Sequence, residues 1–176
     1  GLQATVFEKR ETLGGIVRNV IPGFRIGDDA IDNDIALIKK TGAEFVMGKE
    51  APDVKELKAM GFDYIVLACG AEKKGRLDIE GSVMNVIDFL YAFKNGGELK
   101  LGRNVAVVGG GNTAMDAARA AKRAEGVEKV TLVYRRNRRY MPADLEELEL
   151  AIEDGVEFME LASPVKQANG KLICNK

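Results

Sequence analysis

Three small residues in one short segment have the types and spacing of an anion-binding turn. Gly109, Gly111 and Ala114 stand in the pattern G-x-G-x-x-G/A, directly after the apolar run VAVV and directly before a helical pattern. Glycine at the first two positions allows a tight turn and the close approach of a pyrophosphate, and a small third residue lets the helix lie close on the strand. The pattern predicts a dinucleotide-binding turn at the positive end of a helix. The alternative is a glycine-rich turn without a ligand.

The next apolar run, VTLVY, ends in Arg135 and Arg136. At this point of a dinucleotide-binding unit an acidic residue holds the ribose 2′-hydroxyl of NAD, whereas an arginine accommodates the 2′-phosphate of NADP. Charge-assisted hydrogen bonds contribute about 1.5–3 kcal/mol each, which would favour NADP by roughly tenfold to a hundredfold. The sequence therefore predicts NADP(H). The alternative for the whole run RRNRR is a solvated basic patch, and for Arg138 and Arg139 this interpretation is equally good.

Composition limits the chemistry that the protein's own side chains could do. The chain has 176 residues, 46% of them hydrophobic, a net charge of −1 and no histidine. Its length suggests one domain or two small ones, and its balanced charge argues against nucleic acid as a partner. Without histidine, hydrolase triads and most catalytic zinc sites are poor candidates. We therefore expect a cofactor to supply the chemistry, and we nominate no catalytic residue and no metal ligand.

The compartment is predicted from apolar runs and cysteines. No apolar run is long enough to span a bilayer and no leader pattern is present, so we expect a cytoplasmic protein without a membrane partner. Cys69 and Cys174 form no metal-binding or redox spacing and are interpreted as reduced thiols. We expect Cys69 to be a small core thiol at the end of a buried strand.

Apolar periodicity predicts that strands and helices alternate along the chain. Strands are predicted at residues 4–7, 44–47, 63–69, 104–108, 129–134 and 156–161, and helices around 31–38 and at 52–60, 88–94, 112–124 and 142–153. This order indicates an α/β fold with a Rossmann-like, three-layer βαβ nucleotide-binding module. The two halves echo each other, which favours two related modules.

The first half contains a weaker pattern of the same kind. Glu8 lies at the tip of the first predicted strand, and Gly14 and Gly15 follow shortly after it. An acid here could hold a ribose hydroxyl, and the glycines could admit a flat ring system. On spacing alone, a surface carboxylate and a plain turn are the better interpretation.

Four segments together resemble a known flavoprotein module. They are TVFEKRETLGGIVRNVIPGFRI (5–26), DYIVLACGA (63–71), VVGGGNTAMD (107–116) and VYRRNRRYMPAD (133–144). The chain resembles the FAD- and NAD(P)-binding module of the glutamate synthase small subunit, which recurs in dihydropyrimidine dehydrogenase, and it looks closest to the large subunit of selenate reductases. The resemblance spans nearly the whole chain.

The resemblance implies an activity and a domain arrangement. In the family a NADPH-binding domain is inserted into a FAD-binding domain, and a hydride passes from NADPH to FAD. By this likeness residues 1–98 would be part of a FAD-binding-type domain and residues 99–176 a NADP(H)-binding Rossmann-like domain. The chain would belong to an NADPH-dependent flavin oxidoreductase, with an iron–sulfur domain or subunit as partner. The alternative is a non-catalytic NADP(H)-binding or sensing domain.

The resemblance also implies site residues. For FAD they are Glu8 at the ribose, Leu13, Gly14, Gly15 and Ile16 at the flavin, Arg25 at the diphosphate or flavin edge, and Ala51 at the adenine. For NADPH they are Gly110, Gly111, Asn112 and Thr113 at the pyrophosphate, with Arg135 and Arg136 at the 2′-phosphate. Asn112 and Thr113 would also suit the capping of the helix.

Departures from the family pattern limit the expectation for this polypeptide. The family's FAD site begins with a strand and its own G-x-G-x-x-G upstream of Glu8, for which this chain has no room. A closing Gly-Asp segment and an iron–sulfur region are also missing from it. We therefore expect FAD binding by this polypeptide to be weak or absent, and the isolated fragment to be inactive.

Overall fold

The structure is a computed structural model that describes residues 1–71, 75 and 77–175. The chain separates into two compact units, one formed by Gly1–Asn19 with Gly23–Lys73 and the other by Val20–Pro22 with Lys74–Lys176. The domain boundary between residues 98 and 99 stays a prediction. Among the described helices, none has both the length and the apolar character needed to cross a bilayer.

The first unit is built on a pair of parallel strands. In chain order it holds β1 (Thr5–Glu8), α1 (Gly15–Asn19), α2 (Asp28–Lys39), β2 (Glu44–Met47) and α3 (Val54–Ala59). β1 pairs with β2 in parallel, with Thr5 opposite Glu44. A capping box starts α3, because the Asp53 carboxylate accepts the N–H of Glu56 at 2.8 Å and the Glu56 carboxylate accepts the N–H of Asp53. The strands and helices predicted up to residue 60 are confirmed.

The prediction of a buried strand at residues 63–69 is wrong. The segment has no regular secondary structure, and Tyr64, Val66 and Leu67 are 79%, 86% and 77% exposed. Cys69 is exposed as well and is not a core thiol. An apolar strand becomes buried only when neighbouring strands pair with it and layers cover both its faces. In the described structure β1 and β2 pair with each other and not with this segment.

The second unit contains the predicted βαβ module. Its elements are α4 (Val86–Lys94), β3 (Asn104–Val108), α5 (Asn112–Arg123), β4 (Lys129–Val133), a 3-10 helix (Arg138–Tyr140), α6 (Leu145–Glu153), β5 (Glu157–Met159), β6 (Ser163–Ala168) and β7 (Lys171–Asn175). β3, β4 and β5 form a parallel sheet in that order, with Val108 opposite Val133 and Val133 opposite Met159. The predicted α/β fold is confirmed.

The core of this unit lies between the sheet and its helices. α5 buries a run of alanines together with Met115, and it packs against both β3 and β4. Val130 and Leu132 of β4 and Leu148 of α6 are at most 1% exposed. The small side chains of α5 let the helix lie close to the strands, which brings its first residues to the carboxyl edge of the sheet.

A β-hairpin completes the second unit and was not predicted. β6 and β7 pair in antiparallel fashion around Asn169 and Gly170, whose φ values are +50° and +71°. Asn-Gly between two strand patterns is the typical sequence of this turn, so the signal was present in the sequence. The hairpin is extended by Glu80, whose carbonyl accepts the N–H of Gln167 at 2.8 Å.

Asp154, the residue after α6, is held by two arginines of α5. Its carboxylate accepts bonds from Arg123 at 2.6 and 2.9 Å and from Arg119 Nε at 2.6 Å. The hydrogen bonds from Arg123 are the main reason that the pKa of Asp154 lies below its usual range; burial opposes this shift, and Arg119 adds to it. The pairs join α5 to the end of α6 at a site where the Asp154 side chain is 22% exposed.

We expect the Asp154→Asn substitution to destabilise the protein by about 1.5–3 kcal/mol at pH 7, because it removes charge-assisted hydrogen bonds. A carboxyl group whose pKa is lower in the folded state stabilises the protein above its unfolded pKa of about 3.9. That stabilisation disappears as the pH falls through the folded pKa. Urea unfolding at pH 7 and near pH 3 should therefore show a difference between wild type and variant that shrinks in acid.

The matched control is Glu157→Gln, which breaks an ion pair with Lys129 whose two side chains are 58% and 52% exposed. Exposed pairs contribute at most about 1 kcal/mol. A difference between wild type and Asp154→Asn that stays the same at both pH values would contradict the assignment.

Candidate functional site

Gly109 continues the sheet into the turn that joins β3 to α5. Its N–H donates to the carbonyl of Val133 at 3.0 Å, which prolongs the pairing of β3 with β4. A Cβ atom on Gly109 would lie 2.9 Å from the Cβ of Ala114. Glycine and alanine at these positions therefore allow the start of α5 to lie close to the end of the strand, as the spacing predicts.

Gly110 is a glycine because of Tyr134. A Cβ atom on Gly110 would overlap the ring of Tyr134, a buried residue that directly follows β4. The hydroxyl of the same tyrosine donates to the carbonyl of Tyr140 at 2.6 Å, and the carbonyl of Gly110 accepts the N–H of Ala143 at 2.9 Å. These contacts tie the glycine turn to the segment that follows β4.

Gly111 differs from the other two glycines because no described protein atom requires it. A Cβ atom on Gly111 would meet nothing within 4 Å, and its φ of −101° and ψ of 170° are extended values that any residue can adopt. Gly111 is the N-cap of α5, and no side chain caps this helix. The open space beside Gly111 therefore lies at an uncapped, positive helix end, where an anion is favoured.

Asn112 does not cap α5 as the sequence suggested. Its amide Nδ2 donates to Asp144 Oδ2 at 3.0 Å, and its Oδ1 accepts the N–H of Asp144 at 3.1 Å. These two bonds fix the segment before α6 against the turn. Thr113 is exposed in the first turn of α5 and, like Asn112, does not cap the helix. Its contact with pyrophosphate stays a prediction.

Arg135 and Arg136 lie after β4 at the same edge of the sheet as the glycine turn, because the parallel register places Val108 opposite Val133. Both residues are exposed. Within the residues that the structure describes, neither guanidinium group forms a hydrogen bond or an ion pair. Arg138 is different, since its guanidinium donates to Glu149 Oε1 at 3.3 Å.

The predicted FAD-site residues all belong to the first unit, and Glu8 ends its first strand. The Glu8 carboxylate accepts the N–H of Arg10 at 2.9 Å, which stabilises the turn after β1. Gly14 has φ +112°, and a Cβ there would lie 2.9 Å from the Cβ of Arg18. Gly15 has φ +49° and open space around the position of a Cβ. Packing therefore explains Gly14, whereas Gly15 leaves room beside the backbone.

The remaining predicted FAD-site residues surround this turn or lie in loops. The carbonyl of Leu13 accepts a bond from Arg18 Nε at 2.7 Å, and Leu13 lines a cavity of about 290 Å³ beside α2 and β2. Ile16 is 46% exposed. Arg25 lies before α2 and Ala51 before α3, and both are exposed.

Two further observations bear on where ligands could bind. A cavity of about 820 Å³ runs along β3 and α5 and is lined by Val105, Val107 and Ala117 among others, but the glycine turn does not line it. Among the described residues, no group of histidine, cysteine and acidic side chains could hold a metal ion.

The chain is similar in sequence to proteins that are named as oxidoreductases or as glutamate synthase subunits. YgfK of Escherichia coli is 45% identical over 178 residues, which cover 98% of this chain and 17% of YgfK. The glutamate synthase (NADPH) small chain of Azospirillum brasilense is 30% identical over 184 residues, 93% of this chain and 38% of that protein. The chain thus spans well under half the length of either relative.

The fold is also that of a solved oxidoreductase. The structure of 2-naphthoyl-CoA reductase in complex with 2-naphthoyl-CoA matches with a TM-score of 0.75 at 21% identity, over 99% of this chain and 27% of that one. The family described as pyridine nucleotide-disulphide oxidoreductase matches residues 9–173. Together these matches confirm the predicted resemblance to the glutamate synthase small subunit. The chain belongs to the pyridine nucleotide-disulphide oxidoreductase family.

Proposed function

We propose that this chain is the NADPH-binding part of an NADPH-dependent flavin oxidoreductase of the glutamate synthase small-subunit type, in which a hydride passes from NADPH to FAD. One observation carries the proposal. An uncapped helix start with open space at Gly111 and two exposed arginines without partners in the described structure, Arg135 and Arg136, lie at one edge of one parallel sheet.

The arrangement fits the two anionic groups of one nucleotide. The start of α5 would hold the diphosphate through backbone N–H groups and the helix dipole. The arginines after β4 would hold the 2′-phosphate, where a NAD-specific site would have a carboxylate. The A. brasilense relative is named for NADPH, which supports this preference.

The residues of this chain would contribute by holding the nucleotide in position. Gly111 leaves room for the diphosphate beside the backbone, and Gly110, which packs on Tyr134, keeps the turn fixed. NADPH would supply the hydride, so no side chain here needs to act as an acid or a base. Holding the dinucleotide in one orientation makes the transfer effectively intramolecular, which is the main contribution expected of the protein.

We propose that the first unit supplies residues of the FAD site. Glu8, Leu13, Gly14, Gly15, Ile16, Arg25 and Ala51 remain the candidates. The half-buried Glu8 carboxylate at the end of β1 suits a ribose hydroxyl, and the open space at Gly15 suits a flat ring system. We further propose an iron–sulfur domain or subunit as partner, and a cytoplasmic location, since both cysteines are free thiols.

We expect Arg135→Ala and Arg136→Ala each to raise the Kd for NADPH by about tenfold, because each removes a charge-assisted bond to the 2′-phosphate. The Kd for NADH should change by less than about twofold, since NADH has no such phosphate. Calorimetric titration of both nucleotides checks this.

The matched control is Arg103→Ala, which removes an exposed arginine that pairs with Glu128 at the amino end of β3. It should change neither Kd. Equal losses of NADPH and NADH affinity in the Arg135 and Arg136 variants would contradict a 2′-phosphate contact.

We expect Gly111→Ala to weaken NADPH and NADH alike by at least about tenfold, because the new methyl group would occupy the space of the diphosphate. The free energy of unfolding should fall by less than about 1 kcal/mol, since the position has open space and only the N-cap preference changes. Titration and thermal unfolding of the same samples separate the two effects.

Gly110→Ala and Gly102→Ala serve as the control variants for Gly111→Ala. In Gly110→Ala the methyl group overlaps Tyr134, so stability should fall by about 1–3 kcal/mol together with affinity. Gly102→Ala has its nearest neighbour at 3.9 Å and should change neither. Unchanged nucleotide binding in Gly111→Ala would show that the open space is not the diphosphate site.

A further inference from the structure

Two acidic side chains reach the basic loop, which we define as residues 135–139 (RRNRR). Glu160, the residue after β5, accepts the backbone N–H of Arg138 at 2.6 Å through Oε2. Glu149 of α6 accepts the guanidinium of the same arginine at 3.3 Å. Arg138 is therefore held at both its backbone and its side chain.

The two residues after Glu160 bind the basic loop and the residue directly before it through their backbone. The N–H of Leu161 donates to the carbonyl of Arg136 at 3.3 Å, and the N–H of Ala162 donates to the carbonyl of Tyr134 at 3.1 Å. Leu161 has φ +57° and is 54% exposed. Leucine rarely adopts this conformation, and burial of its side chain does not explain it. The turn is held instead by these two hydrogen bonds, one to Arg136 of the basic loop and one to Tyr134 directly before it.

A carboxylate beside a phosphate site would ordinarily weaken anion binding by charge repulsion. Here Glu160 and Glu149 both accept hydrogen bonds from Arg138. The guanidinium groups of Arg135 and Arg136 have no partner in the described structure. The four arginines of the loop are therefore not equivalent. Arg138 belongs to the attachment of the loop, and the arginines before it stay available to an anion.

We propose that Glu160 is a positioning residue that fixes the basic loop for the adenosine 2′-phosphate, and that Arg138 serves this attachment instead of binding the phosphate. The inference rests on the proposed NADPH binding. A loop already held in the bound geometry loses less conformational freedom when the nucleotide binds. The glycine turn has its own attachments through Val133 and Ala143, so loosening the basic loop affects the 2′-phosphate first.

The test compares Glu160→Ala, Glu160→Gln and Glu157→Ala in titrations with NADPH and with NADH. Glu160→Ala should raise the Kd for NADPH by about threefold to tenfold, as expected for one lost hydrogen bond, and leave NADH unchanged. Glu160→Gln should bind NADPH like wild type, because an amide oxygen also accepts the N–H of Arg138. Glu157 begins β5, the strand that Glu160 directly follows, and pairs with Lys129, so Glu157→Ala should have no effect.

Arg138→Ala gives a second test that does not remove the Glu160 contact, because the backbone N–H of residue 138 remains. It should raise the Kd for NADPH by no more than about threefold, as for an exposed ion pair, and by less than Arg135→Ala does. A loss as large as that of Arg135→Ala would overturn the inference, since Arg138 would then bind the phosphate itself.

The remaining outcomes separate the inference from the proposed function. Tighter NADPH binding in both Glu160 variants would overturn the inference, because the carboxylate would then act by repulsion. A wild-type preference for NADPH that Glu160→Ala leaves unchanged would also refute the inference and leave the proposed function intact. Equal affinity of the wild type for NADPH and NADH would refute the proposed function, and the inference with it.

Discussion

The parallel pairing of β3 with β4 is the constraint on which the candidate site depends. Because the two strands run in the same direction and end together at Val108 and Val133, the glycine turn and the basic loop leave the sheet at one edge. The N–H of Gly109 extends the pairing into the turn, and the hydroxyl of Tyr134 donates to the carbonyl of Tyr140, the residue directly after the basic loop. A nucleotide that carries both a diphosphate and a 2′-phosphate needs both loops on the same side of the sheet, and the pairing of β3 with β4 places them there.

The three glycines of the turn are needed for different physical reasons. Gly109 and Gly110 are required by the protein itself, since Ala114 and Tyr134 occupy the space of their missing side chains. Gly111 has open space instead, at a helix end that no side chain caps. Packing therefore explains the shape of the turn, and only the third glycine points to a ligand. The first unit is different, because Gly14 is explained by packing and Gly15 by its φ of +49°, a left-handed value that favours glycine.

Much of the fold could be predicted because buried strands and amphipathic helices leave regular apolar patterns, as at residues 104–108 and 129–134. The segment 63–69 has the same apolar pattern but lies exposed, since the pattern reports what a segment could bury and not which strand pairs with it. The hairpin at Asn169 and Gly170 was missed although its turn sequence is characteristic. The glycine turn was predictable from local spacing. The role of Arg138 was not, because Glu149 and Glu160 reach it from elements more than ten residues away.

In the proposed site the basic loop recognises a phosphate on the adenosine ribose, next to a turn that binds the diphosphate. Calorimetric titration of this chain with adenosine 2′,5′-bisphosphate and with adenosine 5′-monophosphate isolates that phosphate, because the two ligands differ in nothing else. We expect the bisphosphate to bind at least about tenfold more tightly, with an advantage that shrinks as salt screens the exposed arginines. Equal affinities at low salt would show that the basic loop does not recognise this phosphate.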